Sequence, residues 1–320
     1  LYLDETFRDV RMGGSLDDQW VGGEPFGGFF GRGSDGRYYL QTGGGGYRIY
    51  EITGLDKVQR QTGRIKVSKE QILSAERKQV LIKAQASGTS SGIICAAPAV
   101  KIDGRLDEWR NKPALSWSRQ DQFPAKAWIS VDEANLYLAY NVRDNSPWVN
   151  NGTDWQTLFK TGDSVDFQIG KDLAADPRRR NPVIGDMRLL LAPFGDETIA
   201  VLYRHRLGHN FGQSVIFTSP WRSETVDDVR RIERAQIAVQ RDGGGYSIEA
   251  SIPLEELNWH PRPGETYRGD AGVIYGDDAG TVNLLRSYWA NEATVLVNDV
   301  PGEIMLQPDQ WGELRVEDTK

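Results

Sequence analysis

A single cysteine, Cys95, is all the chain contains, so no disulfide can form within it and its stability must come from a buried core. Such scarcity fits a reducing cytoplasm as well as an export route that makes no disulfides. Long apolar runs are missing too: none approaches the ~20 residues needed to span a bilayer. With no initiator Met and no signal-peptide pattern, the sequence reads as a mature or excised part of a longer protein. Histidine is scarce at three residues. His205 and His209 are four apart, but only a helix would aim both at one zinc ion, and Gly208 lies between them in a strand-like context. No G-x-S-x-G elbow is present, and Cys95 sits without a histidine neighbour in "GIICAAP", the setting of a buried thiol. Positive charge is also in short supply, with 38 Lys and Arg against 45 Asp and Glu and a net charge of −7. The acidity belongs to the C-terminal part, since the first 90 residues carry 13 basic against 11 acidic side chains. That balance lacks the electrostatic footprint of a nucleic-acid or anionic-membrane binder. The local run Arg178-Arg179-Arg180, between Pro177 and Pro182, reads as a solvated loop.

What is present points to β structure. A length of 320 residues suggests about two domains, and 39% apolar with 10% aromatic residues is enough for a core. Many of the 35 glycines cluster between short apolar runs, as turns between strands require. In residues 1–67, Phe26 to Phe30, Arg37 to Leu40 and Tyr47 to Ile52 are strand-like, and Asp35-Gly36 and Gly43 to Gly46 supply turns. Residues 68–97 read as a helix and linker. Ser68 and Gln71 have capping-box spacing, an apolar stripe runs to Ala84, and Ala86 to Ser91 is small and polar.

From Pro98 the period changes to two. Ala127, Ile129 and Val131 alternate with polar or outward residues, as do Leu136 to Val142, Val165 to Ile169 and Met187 to Leu191. Further strands are expected at Ile199–Tyr203, Ala235–Val239, Tyr246–Ile252, Gly272–Tyr275 and Gly312–Val316. Many short strands with one apolar face predict an all-β antiparallel sandwich of the jelly-roll type over residues 98–320.

Acidic pairs are uninformative for glycoside hydrolysis, because Asp103-Gly104, Asp132-Glu133, Asp242-Gly243 and Asp277-Asp278 are explained by turns. Ten tryptophans are about twice the usual share. Trp109, Trp117 and Trp128 lie where strands can bury them. Trp148, Trp155 and Trp289 lie in polar loops or near a strand end, where an indole either offers a flat apolar face to a sugar ring or folds back over the sandwich. Alternation turns Ser164, Asp166 and Gln168 away from the core, and likewise Arg188 between Met187 and Leu189. If these strands are neighbours, Asp166 and Arg188 share a face, either as sugar-hydroxyl ligands or as a salt bridge.

The ordered motifs "IDGRLDEW", "KAWISVDEANLYLAYNVRDNSP", "TGDSVDFQIG", "GGGYSIEASIPLEEL", "GDAGVIYGDDAG", "SYWANE" and "WGELRV" resemble the family 9 carbohydrate-binding modules over nearly all of residues 98–320. "SDGRYYLQTG" with "YRIYEITGLD" resembles one strand-turn-strand unit of an NHL-like β-propeller. The first resemblance implies a DOMON-like sandwich with no catalytic role, in which two aromatic residues clasp a terminal sugar. It places one aromatic at Trp289 and the other at Trp155 or Phe159, the acidic strand position at Asp166 and the strand arginine at Arg188. No cofactor is required, although some members hold a structural calcium. The partner implied is a mono-, oligo- or polysaccharide, met outside the cell or in the periplasm by a module attached to upstream domains. Two rival readings stay open. One is a haem b-binding DOMON domain using Met187 or Met305 with His205; the other is a docking domain whose sugar site is closed by insertions around "KDLAADPRRRNPVIGD" and "LYRHRLGHNFGQSVIFTSPWRSETVDDV".

Overall fold

The computed structural model describes residues 29–32, 35–42, 48–52, 90–96, 100–119, 122–208, 213–294, 296–297 and 299–318. The chain divides into two compact units, Leu1–Val80 with Val297–Asp299, and Leu81–Leu296 with Val300–Lys320. In the first, β1 (Phe29–Arg32), β2 (Tyr38–Thr42) and β3 (Arg48–Ile52) form an antiparallel meander. The turn between β1 and β2 uses Gly36 at φ +81°, and Asp35 Oδ1 accepts the Arg37 amide at 3.0 Å. The expected helix at 68–84, the glycine run 43–46 and His209 lie outside the described residues.

The second unit is almost entirely β: one large, curled, open mixed sheet, sandwich-like, with only short helices. Its strands are β4 (Ser91–Ala96), β5 (Leu115–Arg119), β6 (Gln122–Val131), β7 (Asn135–Arg143), β8 (Ser164–Gly170), β9 (Asp186–Phe194) and β10 (Glu197–Arg204). There follow β13 (Asp228–Arg231), β14 (Gln236–Asp242), β15 (Gly245–Pro253), β16 (Thr266–Gly276), β17 (Asn283–Tyr288) and β18 (Gly312–Asp318). The order is β13-β10-β9-β8-β16-β18-β4-β6-β7-β15-β14, with β17 beside β16 and β5 beside β6. Strands β11 (Val215–Thr218) and β12 (Ser223–Val226) make a separate hairpin. Helices α1 (Leu254–Leu257) and α2 (Val300–Ile304) are a turn each.

Period-two alternation fills the concave side of the sheet. Val165, Phe167 and Ile169 of β8, with Met187, Leu189 and Leu191 of β9, join Ile129, Leu138, Tyr140, Val142 and Ile248 from the other half in one core. The pairing is antiparallel except at β4, which runs parallel to both β18 and β6. This strand falls in the segment read above as helix and linker, before the expected start at Pro98. Within its apolar "GIICA", Ile94 and Cys95 are buried and the rest are half-buried, because a central strand has neighbours on both edges. Cys95 is a buried free thiol there, as expected.

A smaller cluster covers the back of β6 and β7 with Trp109, Trp128, Tyr137 and Ala139. Glu249 of β15 holds it together. It accepts the amides of Asp103 and Gly104 at 3.0 and 2.7 Å and the Trp109 indole N–H at 2.7 Å. The motifs "IDGRLDEW" and "YSIEASIP" are thereby one structural tie. Asp132, Asp242 and Asp277 accept backbone amides two to five residues onward, which is the turn duty read from the sequence.

Candidate functional site

The site expected on the outward face of β8 and β9 is assembled by strand register. Asp166 lies opposite Leu190 on one side and Gly272 on the other, and Gly272 lies opposite Tyr288. One step along, Gln168 faces Arg188, and Arg188 faces Tyr203. Residues in these rows share a face, so Asp166, Gln168, Arg188, Tyr203 and Tyr288 converge. Arg188 Nη2 lies 2.6 Å from Asp166 Oδ2. The Tyr288 hydroxyl donates to the same carboxylate and accepts from Arg286 Nη2 at 2.9 Å. Glycine at 272 makes this possible: a Cβ there would meet the Tyr288 ring at 2.5 Å. Burial, opposed by the charges of Arg286 and Arg188, pushes the Tyr288 phenol well above its ordinary value, so it stays a donor.

Aromatic rings border the polar row. Phe159 lies 5.0 Å from the Arg188 guanidinium, with the Tyr203 ring at 5.9 Å from it. On the other side the Trp311 indole donates to Gln168 Oε1 at 3.0 Å.

This face is covered. The 3-10 turn Trp155–Lys160, capped by Asp154 accepting the Gln156 amide at 3.0 Å, lays Leu158 and Phe159 against Leu190, Ala192, Val201 and Tyr203. Phe217 and Val226 of the β11–β12 hairpin and Ile304 of α2 complete the apolar layer. Glu303 of α2 enters the polar row itself. Its carboxylate lies 3.4 Å from Arg286 Nη1 and 3.1 Å from Lys160 Nζ, and its carbonyl accepts from Arg188 Nη1 at 3.0 Å. All seven residues of β8 are therefore buried, whereas alternation alone leaves Ser164, Asp166 and Gln168 facing outward to solvent.

Of the residues singled out in the sequence, Phe159, Asp166 and Arg188 come together. Trp155 packs partly buried at the edge of the same layer. Trp289 does not join them. It follows Tyr288, so it turns to the opposite side, into the main core, where it is 8% exposed. Its indole lies against Gly312 and Gly92, where a Cβ would meet ring carbons at 2.5 and 3.4 Å. Trp148 is also buried. Among the described residues, Trp221 in the β11–β12 turn is the tryptophan left half exposed, at 50%. Among the described residues it offers the most open indole face. The alternation of Arg286, Tyr288 and Trp289 in "LLRSYWANE" was the signal that Tyr288, rather than Trp289, shares the face of Asp166. Glu303, in a segment without a strand pattern, left no such trace.

Two further expectations are corrected. Arg179 is not a solvated member of its basic run: its side chain is largely buried, bidentate on Asp186 at 2.6 and 3.1 Å and 5.6 Å from the Trp311 ring. The haem ligand set does not assemble either. Met187 belongs to the main core, His205 continues the opposite face of β10, and Met305 is 40% exposed. Asp163 commits both oxygens, to the amides of Gly276 at 2.7 Å and Val149 at 3.0 Å, and no three acidic, His or Cys side chains converge among the described residues. Among those residues, no helix is long and apolar enough to cross a membrane.

No protein-family profile and no curated protein matches the chain. Solved structures do. A family 9 carbohydrate-binding module from Caldicellulosiruptor kristjanssonii, in complex with cellotriose, is 18% identical with a TM-score of 0.43, covering 72% of this chain and 95% of its own. The module from that organism in complex with glucose gives 18%, 0.42, 72% and 97%. A protein from Bacteroides uniformis gives 13%, 0.40, 72% and 100%. The resemblance is distant. It concerns the fold and leaves the ligand of this chain to its own residues.

Proposed function

We propose that the second unit is a non-catalytic carbohydrate-binding domain whose recognition face is the row Asp166, Gln168, Arg188, Arg286 and Tyr288, covered in this structure by α2. One observation carries the reading. Asp166 Oδ1, Arg188 Nε, Arg286 Nε and Ser164 Oγ are buried on this face without a hydrogen-bond partner. Native interiors pair nearly all such atoms, and each orphan costs about 1–3 kcal/mol. Vicinal hydroxyls of a sugar both donate and accept, so they would answer this mixture, and Phe159, Tyr288 and Trp311 would flank the ring. Attachment to a larger exported protein belongs to the same proposal.

A second reading is supported by the depth of the cover. Asp166 and Arg188 are 0% and 1% exposed, and Glu303 brings its own carboxylate to the arginines. A sealed face of this kind suits a docking domain that keeps the fold without the ligand. Calorimetric titration with glucose, cello-oligosaccharides and xylo-oligosaccharides separates the two. Glu303→Ala loosens α2, so the proposal expects at least tenfold tighter sugar binding than in the unaltered chain, abolished again by adding Tyr288→Phe with Arg188→Met. A folded Glu303→Ala protein that binds no sugar in the panel overturns it in favour of the docking domain.

A further inference from the structure

A cavity of about 280 Å³ opens at the end of β8, β9 and β10 where β9 begins, away from the row just described. Its wall includes Lys171, Asp186, Arg204, Arg206, Ile184 and Asn258. Three cations and one carboxylate thus face it, in a chain of net charge −7. Their partners decide what the space can take. Asp186 is saturated by the bidentate Arg179 and by the Val183 amide at 2.9 Å. Arg204 is held 2.7 Å from Asp228. Arg206 donates to Glu224 at 3.1 Å and to the carbonyls of His205 and Thr225.

Lys171 differs. Its ammonium donates to the carbonyls of Leu257 and Asn258, at 2.7 and 2.8 Å, at the C-terminal end of α1. These carbonyls fix its position without neutralising its charge, and one of its three donors remains. Burial first, and the neighbouring Arg204 second, push it down to about 8. Its group is thus a half-buried cation, still charged at neutral pH, in the wall of a cavity whose one lining acid is already spent.

We infer that this cavity binds a small molecule bearing a single carboxylate or phosphate group, with Lys171 pairing the anion and Arg204 and Arg206 adding to the positive field. A volume near the lower end of small-molecule sites admits a ligand of about monosaccharide size. Nothing in this inference depends on the sugar-binding row: the two sites share no residue, and either can fail alone.

The test titrates the whole chain with glucuronate, inorganic phosphate, glucose 6-phosphate and glucose at constant ionic strength, by calorimetry and by thermal shift against sodium chloride. Binding of glucuronate or of a phosphate, at least tenfold tighter than glucose, is expected. Preference between them names the group, carboxylate or phosphate. Lys171→Met should weaken the preferred anion by at least tenfold, and Lys171→Arg should recover most of it. Arg206→Gln provides a second variant should Lys171→Met lose the fold with its α1 contacts, and it is expected to weaken the anion severalfold. The inference is overturned if neither anion raises the melting temperature beyond the chloride control, if glucose binds as well, or if folded Lys171 and Arg206 variants bind the anion unchanged.

Discussion

Asp166 and Arg188 form an ion pair at 2.6 Å with both side chains withdrawn from solvent, at 0% and 1% exposure. Breaking such a pair leaves a buried charge unmatched, at a cost of about 3–5 kcal/mol. Urea unfolding should show Asp166→Asn and Arg188→Met each destabilised to about that extent, since removing either also disturbs Tyr288 or Glu303. The double variant should cost clearly less than the two single losses added together. Strict additivity would mean that the two groups do not sense each other.

Trp289 provides the matching test in the main core. Truncating a buried indole costs about 3–5 kcal/mol, so Trp289→Ala should lower stability by roughly that amount. Gly312→Ala drives a Cβ to 2.5 Å from a Trp289 ring carbon and should destabilise on its own. In Trp289→Ala the same change should cost clearly less, because the ring clash is gone and only the Ser90 carbonyl, 2.9 Å from the added Cβ, remains. Equal cost of Gly312→Ala in both backgrounds would place the indole elsewhere.

The pH dependence of stability carries the signature of Asp163. Burial pushes its carboxyl up to about 7, against the pull of the Gly276 and Val149 amides. A folded-state value above the unfolded one means the folded protein binds more protons between them. Its contribution is therefore complete below about pH 4 and is lost as pH rises towards 7, at up to about 1.4 kcal/mol per unit. Asp270, also raised to about 7 by burial, adds in the same direction. Denaturant midpoints measured from pH 4 to 7 should fall less steeply in Asp163→Asn than in the unaltered chain, whatever the variant's absolute stability. An unchanged slope would show that Asp163 is ionised throughout.

Trp221 should dominate collisional quenching among the described tryptophans, being half exposed where the others are buried or partly so. Iodide should therefore quench a distinctly smaller share of the emission in Trp221→Phe. Trp289→Phe should leave the quenchable share as it was. The opposite pattern would expose Trp289 and close Trp221.

Period-two patterning located most strands of the second unit and the side on which Asp166 and Arg188 stand, because alternation is a local property of the backbone. It could not reveal what lies over that face. Phe159 stands under Arg188 because a 3-10 turn folds back, and Glu303 reaches Arg286 from a helix of one turn; neither placement has a periodic trace. The same limit applies to Trp289. Its polar neighbours in "SYWANE" suggested an open strand end, yet the ring occupies space that Gly312 and Gly92 leave by having no side chain. Strand β4 was missed for another reason. A six-residue apolar run is equally consistent with a buried strand or the end of a helix, and only its two distant partners decide.

Those partners set the order in which the sheet can close. Strand β4 comes first in this unit and is clamped between β6 and the final strand, β18, across more than two hundred residues of intervening chain. During synthesis it must wait, with one edge bare, until the last strand has left the ribosome. Closure is then a late, long-range event of the kind that makes folding slow, and the finished domain should come apart as a unit once either end is peeled away.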